Sequence, residues 1–125
     1  MTTTQTIARV FGVVFLLVGL LGFVTVPSSG LLLGIFPVNT LHHIVHLAIG
    51  AALLAMSGTH SGARSISTIV GATYLLVGIL GFITPNFFGL MPIHGNDIWL
   101  HLLSGAVLLY AGMAGPADAT ATRRI

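Results

Sequence analysis

The chain has 125 residues, four of them cationic and two acidic, against 55% apolar residues and a mean hydropathy of +1.06. Ordinary globular domains devote about a quarter of their residues to charge, so this composition excludes a cytosolic globule, a nucleic-acid binder and a disordered tail. With no cysteine, disulfides, thiolate metal sites and cysteine nucleophiles are excluded as well.

In chain order, residues 7–26 are almost unbroken apolar sequence, interrupted by Arg9 and Thr25. That is enough to cross a hydrocarbon core of about 30 Å. The preceding MTTTQT lacks the basic region and small-residue cleavage signature of a secretory signal, so the segment reads as a retained span. Pro27 to Gly30 break it, and Leu31 to Phe36 is too short to cross. This short run is expected in the interface or folded back as a lid. Asn39 and Thr40 are N-cap residues that start a second helix running to about Met56. The glycine-rich Ser57 to Ser65 reads as a loop, and a third span follows from Ile66 to Thr84, ended by Pro85. Asn96 and Asp97 begin a fourth helix that runs to about Met113, leaving a polar tail over 114–125.

The four arginines, Arg9, Arg64, Arg123 and Arg124, all fall at the termini or in the connection between the second and third spans. By the positive-inside rule both termini are then cytoplasmic, and residues 27–39 and 85–96 lie outside.

The two halves also match each other. FGVVFLLVGLLGFVT lies over VGATYLLVGILGFIT at an offset of 59, and GIFPVNTLHHIVHLAIGAALL lies over GLMPIHGNDIWLHLLSGAVLL at an offset of 55. The expected fold is therefore all-α: a polytopic membrane four-helix bundle forming a single transmembrane domain over 1–125. It is made of two parallel helical-hairpin repeats, about 7–56 and about 66–113, related by a pseudo-two-fold axis along the membrane normal. The matched glycines read as close helix packing in lipid.

Five of the six histidines, His42, His43, His46, His94 and His101, gather at the outer ends of the second and fourth helices. His42 and His46 are four residues apart and share a helix face, and Asp97 and His101 repeat that spacing. If the halves bring these faces together, His42, His46, Asp97 and His101 offer three nitrogens and a carboxylate to zinc, copper or iron. His43 points about 100° from His42 on an ideal helix and is not expected to join. Alternatively His46 and His101, at matched depth, serve as axial ligands of a haem or a chlorophyll-type tetrapyrrole, with His94 closing the site from the loop. A third reading has these histidines form only interhelical hydrogen bonds, with Asp97 satisfied at a helix N-terminus. Trp99 reads as an interfacial anchor, Tyr74 and Tyr110 as packing, and His60 as a solvated loop residue. With two acids in total and no serine triad or phosphate loop, the sequence offers no evident catalytic apparatus.

LLVGLLGFV, GIFPVNTLHHIVHLAIGAALL, LLVGILGF and WLHLLSGAVLL together resemble an uncharacterised family of small bacterial four-helix membrane proteins, a domain of unknown function. The resemblance runs from about Val10 to Ala111, with Asn39 and the His42, His43, His46 run as its most specific part. It implies four spans and a bacterial source, hence an inner membrane location, and supplies no activity. The expected partners are the lipid bilayer and, beyond it, other membrane subunits or further copies of the chain, with no nucleic acid. The functional expectation is a metal or tetrapyrrole site near the outer face; the alternative is a non-catalytic accessory subunit of a larger membrane complex.

Overall fold

The computed structural model describes residues 1–113, so the tail, Arg123 and Arg124 lie outside the described residues. The chain is all-α with one small hairpin: α1 (Thr3–Thr25), β1 (Ser29–Leu32), β2 (Phe36–Asn39), α2 (Thr40–Met56), α3 (His60–Gly81) and α4 (Asn96–Met113). Of these, α1 and α3 are long and apolar enough to cross a membrane; α2 is a shorter apolar helix of 17 residues.

The boundaries of α2 and α4 fall where the sequence analysis puts them. Asn39 caps α2, its side chain accepting from the His42 amide at 2.9 Å. α1 and α3 both begin earlier than expected. At α1, Thr2 and Gln5 form a reciprocal capping box, which lets the polar start of the chain join the helix. At α3, Thr59 is the cap, accepting from the Gly62 amide at 2.9 Å, so most of the expected glycine-rich loop is helix. His60 is consequently not a solvated loop residue. It is half-buried in the first turn of α3, with Nδ1 2.7 Å from the Thr2 hydroxyl.

Residues 29–39 form an antiparallel hairpin in which Leu32 pairs with Phe36 and Ser29 with Asn39. The reversal uses left-handed backbone at Leu33 and Gly34, with φ of 56° and 75°, which only glycine adopts without cost. Leu32 and Val38 are each 2% exposed. The short apolar run thus folds back over the helices.

The helices pack as two antiparallel pairs, α1 with α2 and α3 with α4, and glycines set the spacing within each pair. A Cβ at Gly12 would stand 3.1 Å from the Gly50 carbonyl oxygen and 2.8 Å from the Leu54 side chain; one at Gly71 would stand 2.9 Å from the Gly105 carbonyl oxygen. Where the pairs meet, Ala8, Phe15, Leu53, Ala63, Val70, Tyr74 and Leu108 form a buried core.

The outer surface is apolar, with Val13, Leu17, Leu20 and Val24 on α1 and Ile69, Leu76 and Ile79 on α3 all exposed. The interior is comparatively polar: Thr4, Gln5, His42, His43, His46, Ser67, Asp97 and His101 are all buried. At one end of the helices the polar groups are tied together. The Gln5 amide donates to the Ser57 carbonyl at 3.1 Å, the Thr4 hydroxyl to the Ala111 carbonyl at 3.0 Å, Arg9 to the Ser57 hydroxyl at 3.2 Å, and Arg64 to the Gly112 carbonyl at 3.0 Å. His42, His43, His46 and His101 lie toward the other end, beneath the hairpin and the 82–95 connection.

Candidate metal centre

Two helix starts build the site. His42 is in the first turn of α2 and Asp97 in the first turn of α4; His46 and His101 follow one turn further on. The i, i+4 spacing aligns each pair on one face, and the meeting of the two hairpins turns both faces inward. His42 is 2% exposed, Asp97 1%, His46 3% and His101 5%. Burying a carboxylate is costly unless it is paired, and the start of α4 offsets part of that cost through its exposed amides.

The geometry around Asp97 is compact. Its Oδ2 lies 3.2 Å from His101 Nδ1 and 3.8 Å from His42 Nε2. His101 Nδ1 makes its hydrogen bond to the Asp97 backbone carbonyl at 2.8 Å, and Oδ2 has no hydrogen-bond partner among the described residues. One ligating atom from each of His42, Asp97 and His101 falls within 4.8 Å of the other two. A tetrahedral ion with bonds of about 2.0–2.1 Å holds its ligand atoms roughly 3.3 Å apart. The 3.2 Å between Asp97 Oδ2 and His101 Nδ1 is close to that spacing, whereas His42 Nε2 stands farther off at 3.8 Å, and His101 Nδ1 would have to exchange its bond to the Asp97 carbonyl for the ion. Such a set has two imidazoles, one carboxylate and one open position. It suits zinc, iron or copper and not the all-oxygen preference of magnesium or calcium.

The expected members do not all gather. His46 stands beside the group, its ring 4.5 Å from that of His42 and stacked on Phe15 at 5.8 Å with 6° between planes. It is not one of the three residues whose ligand atoms converge, and its Nδ1 is buried without a hydrogen-bond partner among the described residues. His94 is exposed in the 82–95 connection. His43 turns away, as its position on the helix predicts: its Nε2 is 2.6 Å from the Val26 carbonyl and its ring packs beneath Gly22 and against Phe23. Trp99 is 65% exposed and meets the edge of Phe82.

Tyr74 is the member that the sequence analysis misses. Its ring lies 4.7 Å from His101 and 5.4 Å from Phe15, and its buried hydroxyl has no partner among the described residues. The available signal is positional, since Tyr74 stands 59 residues after Phe15, in the offset that aligns the two halves.

Two cavities flank the cluster. One of about 190 Å³ lies between α1, α4 and the hairpin, bordered by His46 and Asp97. The other, of about 160 Å³, lies between α2, α3 and the 82–95 connection, bordered by His42, Tyr74 and His101.

A family model described as Domain of unknown function (DUF4383) matches residues 5–114. The chain belongs to that family. No curated protein and no solved structure matches it. The family carries no described activity, and the chemistry of this DUF4383 chain has to be argued from its own residues.

Proposed function

We propose that this chain is a multi-pass membrane protein that holds one divalent transition-metal ion, zinc, copper or iron, through His42, Asp97 and His101. The observation that carries the metal reading is the convergence of two imidazoles and a carboxylate within 4.8 Å in the buried interior, with Asp97 Oδ2 lacking a hydrogen-bond partner. Buried polar groups are nearly always satisfied, and a carboxylate oxygen that faces two imidazoles at 3.2 and 3.8 Å without a hydrogen bond among the described residues supports a cation shared between them.

The membrane part of the reading rests on the apolar exterior and polar interior, an arrangement that lipid favours and water does not. All four helices cross in this reading, α2 and α4 completing their spans with the connections beyond them. Arg9 and Arg64 at one end mark the cytoplasmic side of a bacterial inner membrane and put the histidines near the outer face.

The internal duplication is supported by packing at matched positions. Gly12 and Gly50 meet as Gly71 and Gly105 do; Gly19 rests on Leu47 as Gly78 does on Leu102; Gly22 rests on His43 as Gly81 does on Ile98. Each pair follows the 59- and 55-residue offsets of the sequence alignment.

A tetrapyrrole on His46 and His101 is less well supported. The flanking cavities, about 190 and 160 Å³, fall below the roughly 300 Å³ at which sites for drug-sized ligands begin. The reading as an accessory subunit draws only on the apolar exterior, which lipid covers equally well.

Chelator-free purification followed by elemental analysis tests the proposal. We expect close to one transition-metal ion per chain, lost in Asp97→Ala and in His101→Ala. Metal-free protein that takes up no zinc, copper or iron on titration would overturn it.

A further inference from the structure

We infer that the 190 Å³ chamber between α1, α4 and the hairpin is a binding site for a neutral, single-ring molecule carrying one hydroxyl group, the phenol class of lipid-soluble compounds. This goes beyond the metal reading and does not depend on it.

Three observations on the chamber lead there. Its walls are apolar, formed by Val14, Phe15 and Val18 on one side and Leu100 on the other, with Leu32 and Phe36 of the hairpin as the roof. Its size suits one ring: an apolar cavity of about 150 Å³ accepts benzene, and about 190 Å³ leaves room for a small substituent. Its polar border is His46, with Asp97 and Ser104 beside it, all buried, and among the described residues neither His46 Nδ1 nor Asp97 Oδ2 has a hydrogen-bond partner. Apolar pockets with one or a few placed polar groups are the common form of a small-molecule site. A ring with no polar group would leave His46 unsatisfied, and a charged ligand would have no counter-ion except a carboxylate already flanked by two histidines. A hydroxyl is both donor and acceptor, so it satisfies the imidazole in either tautomer. Val14 is 45% exposed and Leu33 68% exposed at the chamber's edge, so entry is lateral, past an apolar rim.

The site on the opposite side supplies an internal control. At the aligned positions of the second half, Thr73, Tyr74 and Val77 replace Val14, Phe15 and Val18, and that chamber is smaller. Tyr74 there already carries a phenol ring of the chain itself beside His101. The first chamber has Phe15 at that position and so lacks the hydroxyl that the second contains.

The test is fluorine NMR of the full chain in detergent micelles with 4-fluorophenol and fluorobenzene as probes. We expect the phenol to bind about tenfold more tightly than fluorobenzene, the equivalent of one buried hydrogen bond. His46→Phe should reduce the preference for the phenol several-fold. Val18→Trp, which fills the chamber, should abolish binding, whereas Val77→Trp on the opposite side should retain it. Should Val18→Trp fail to fold, nuclear Overhauser contacts from the bound ring to Leu32 and His46 in the unmodified protein decide the location. Equal affinity for both probes, binding that survives Val18→Trp in folded protein, or contacts mapping elsewhere would each overturn the inference. Running the titration with and without metal keeps the two proposals apart. Ring binding without metal uptake sinks only the metal reading, and metal uptake without ring binding sinks only this one.

Discussion

The two ends of the helices treat buried polar groups in opposite ways. At the end where the long helices start, Thr2, Thr4, Gln5, Ser57 and His60 form closed hydrogen bonds between α1, the 57–59 turn, α3 and α4. At the other end His42 Nδ1, His43 Nδ1, His46 Nδ1, Asp97 Oδ2 and the Tyr74 hydroxyl are buried with no hydrogen-bond partner among the described residues. The polar atoms of the first end are structural, because each fixes one element to another. The second end has polar groups at higher cost and fewer mutual bonds. What distinguishes the two ends is the extent of hydrogen-bond satisfaction, and not polarity or depth. Ser67, buried and unpartnered three residues beyond Arg64, is the one exception near the closed end.

The largest expected effect comes from supplying what the open end lacks. Zinc at a thousandfold excess over its dissociation constant should stabilise the folded chain by about 4 kcal/mol, read as a rise in thermal midpoint in detergent. The rise should vanish in the His42→Ala, His101→Ala double variant. A rise that survives the double variant would move the ion elsewhere.

Breaking the closed end should behave differently. Gln5→Ala strands the Ser57 carbonyl and opens the capping box, and should cost about 2 kcal/mol. That cost should be the same with and without metal; a loss seen only in metal-free protein would mean that the ends are coupled. Gly71→Ala forces a methyl against the α4 backbone and should cost a similar amount, about 1–3 kcal/mol, again independent of metal.

Two smaller effects sharpen the contrast. His43→Phe removes the bond to the Val26 carbonyl, for about 1 kcal/mol, and should leave metal stoichiometry at its normal value even though His43 adjoins His42 in sequence. Ser67→Ala removes an unpartnered hydroxyl and should change stability by less than about 0.5 kcal/mol in either direction. A clear loss there would reveal a partner for Ser67.

Much of this arrangement is legible before any coordinates. Asn39 and Asn96 mark the starts of α2 and α4 because their side chains suit a helix cap, and the i, i+4 spacing of His42 with His46 and Asp97 with His101 fixes shared faces. The early starts of α1 and α3 were also written in the sequence, as the Thr2 and Gln5 capping box and the Thr59 cap. Glycine and serine content outweighed them. The hairpin was harder to read: LLLGIFPV is too short for a span and Pro37 breaks regular alternation, so nothing local distinguishes a strand from an interfacial loop. Within the site, spacing alone could not separate His46 from the three converging groups. Which imidazole of α2 comes near Asp97 depends on how the two hairpins pack against each other through Phe15, Leu53, Tyr74 and Leu108, a long-range contact that local spacing does not encode. The place of Tyr74 beside His101 is hidden from the sequence for the same reason.

Across the top of the molecule the Asn39 side chain donates to the Leu90 carbonyl at 2.9 Å, and the Asn96 side chain donates to the Ile35 carbonyl at 3.2 Å. Each half thus latches the other's covering segment with the residue that opens its own inner helix. Lifting either cover breaks a bond made by the residue at the start of the opposite inner helix. The amides of residues 29–39 and 85–96 are therefore expected to exchange with solvent as one cooperative unit, so that access to the histidines becomes a property shared by both halves and is lost or gained in a single step.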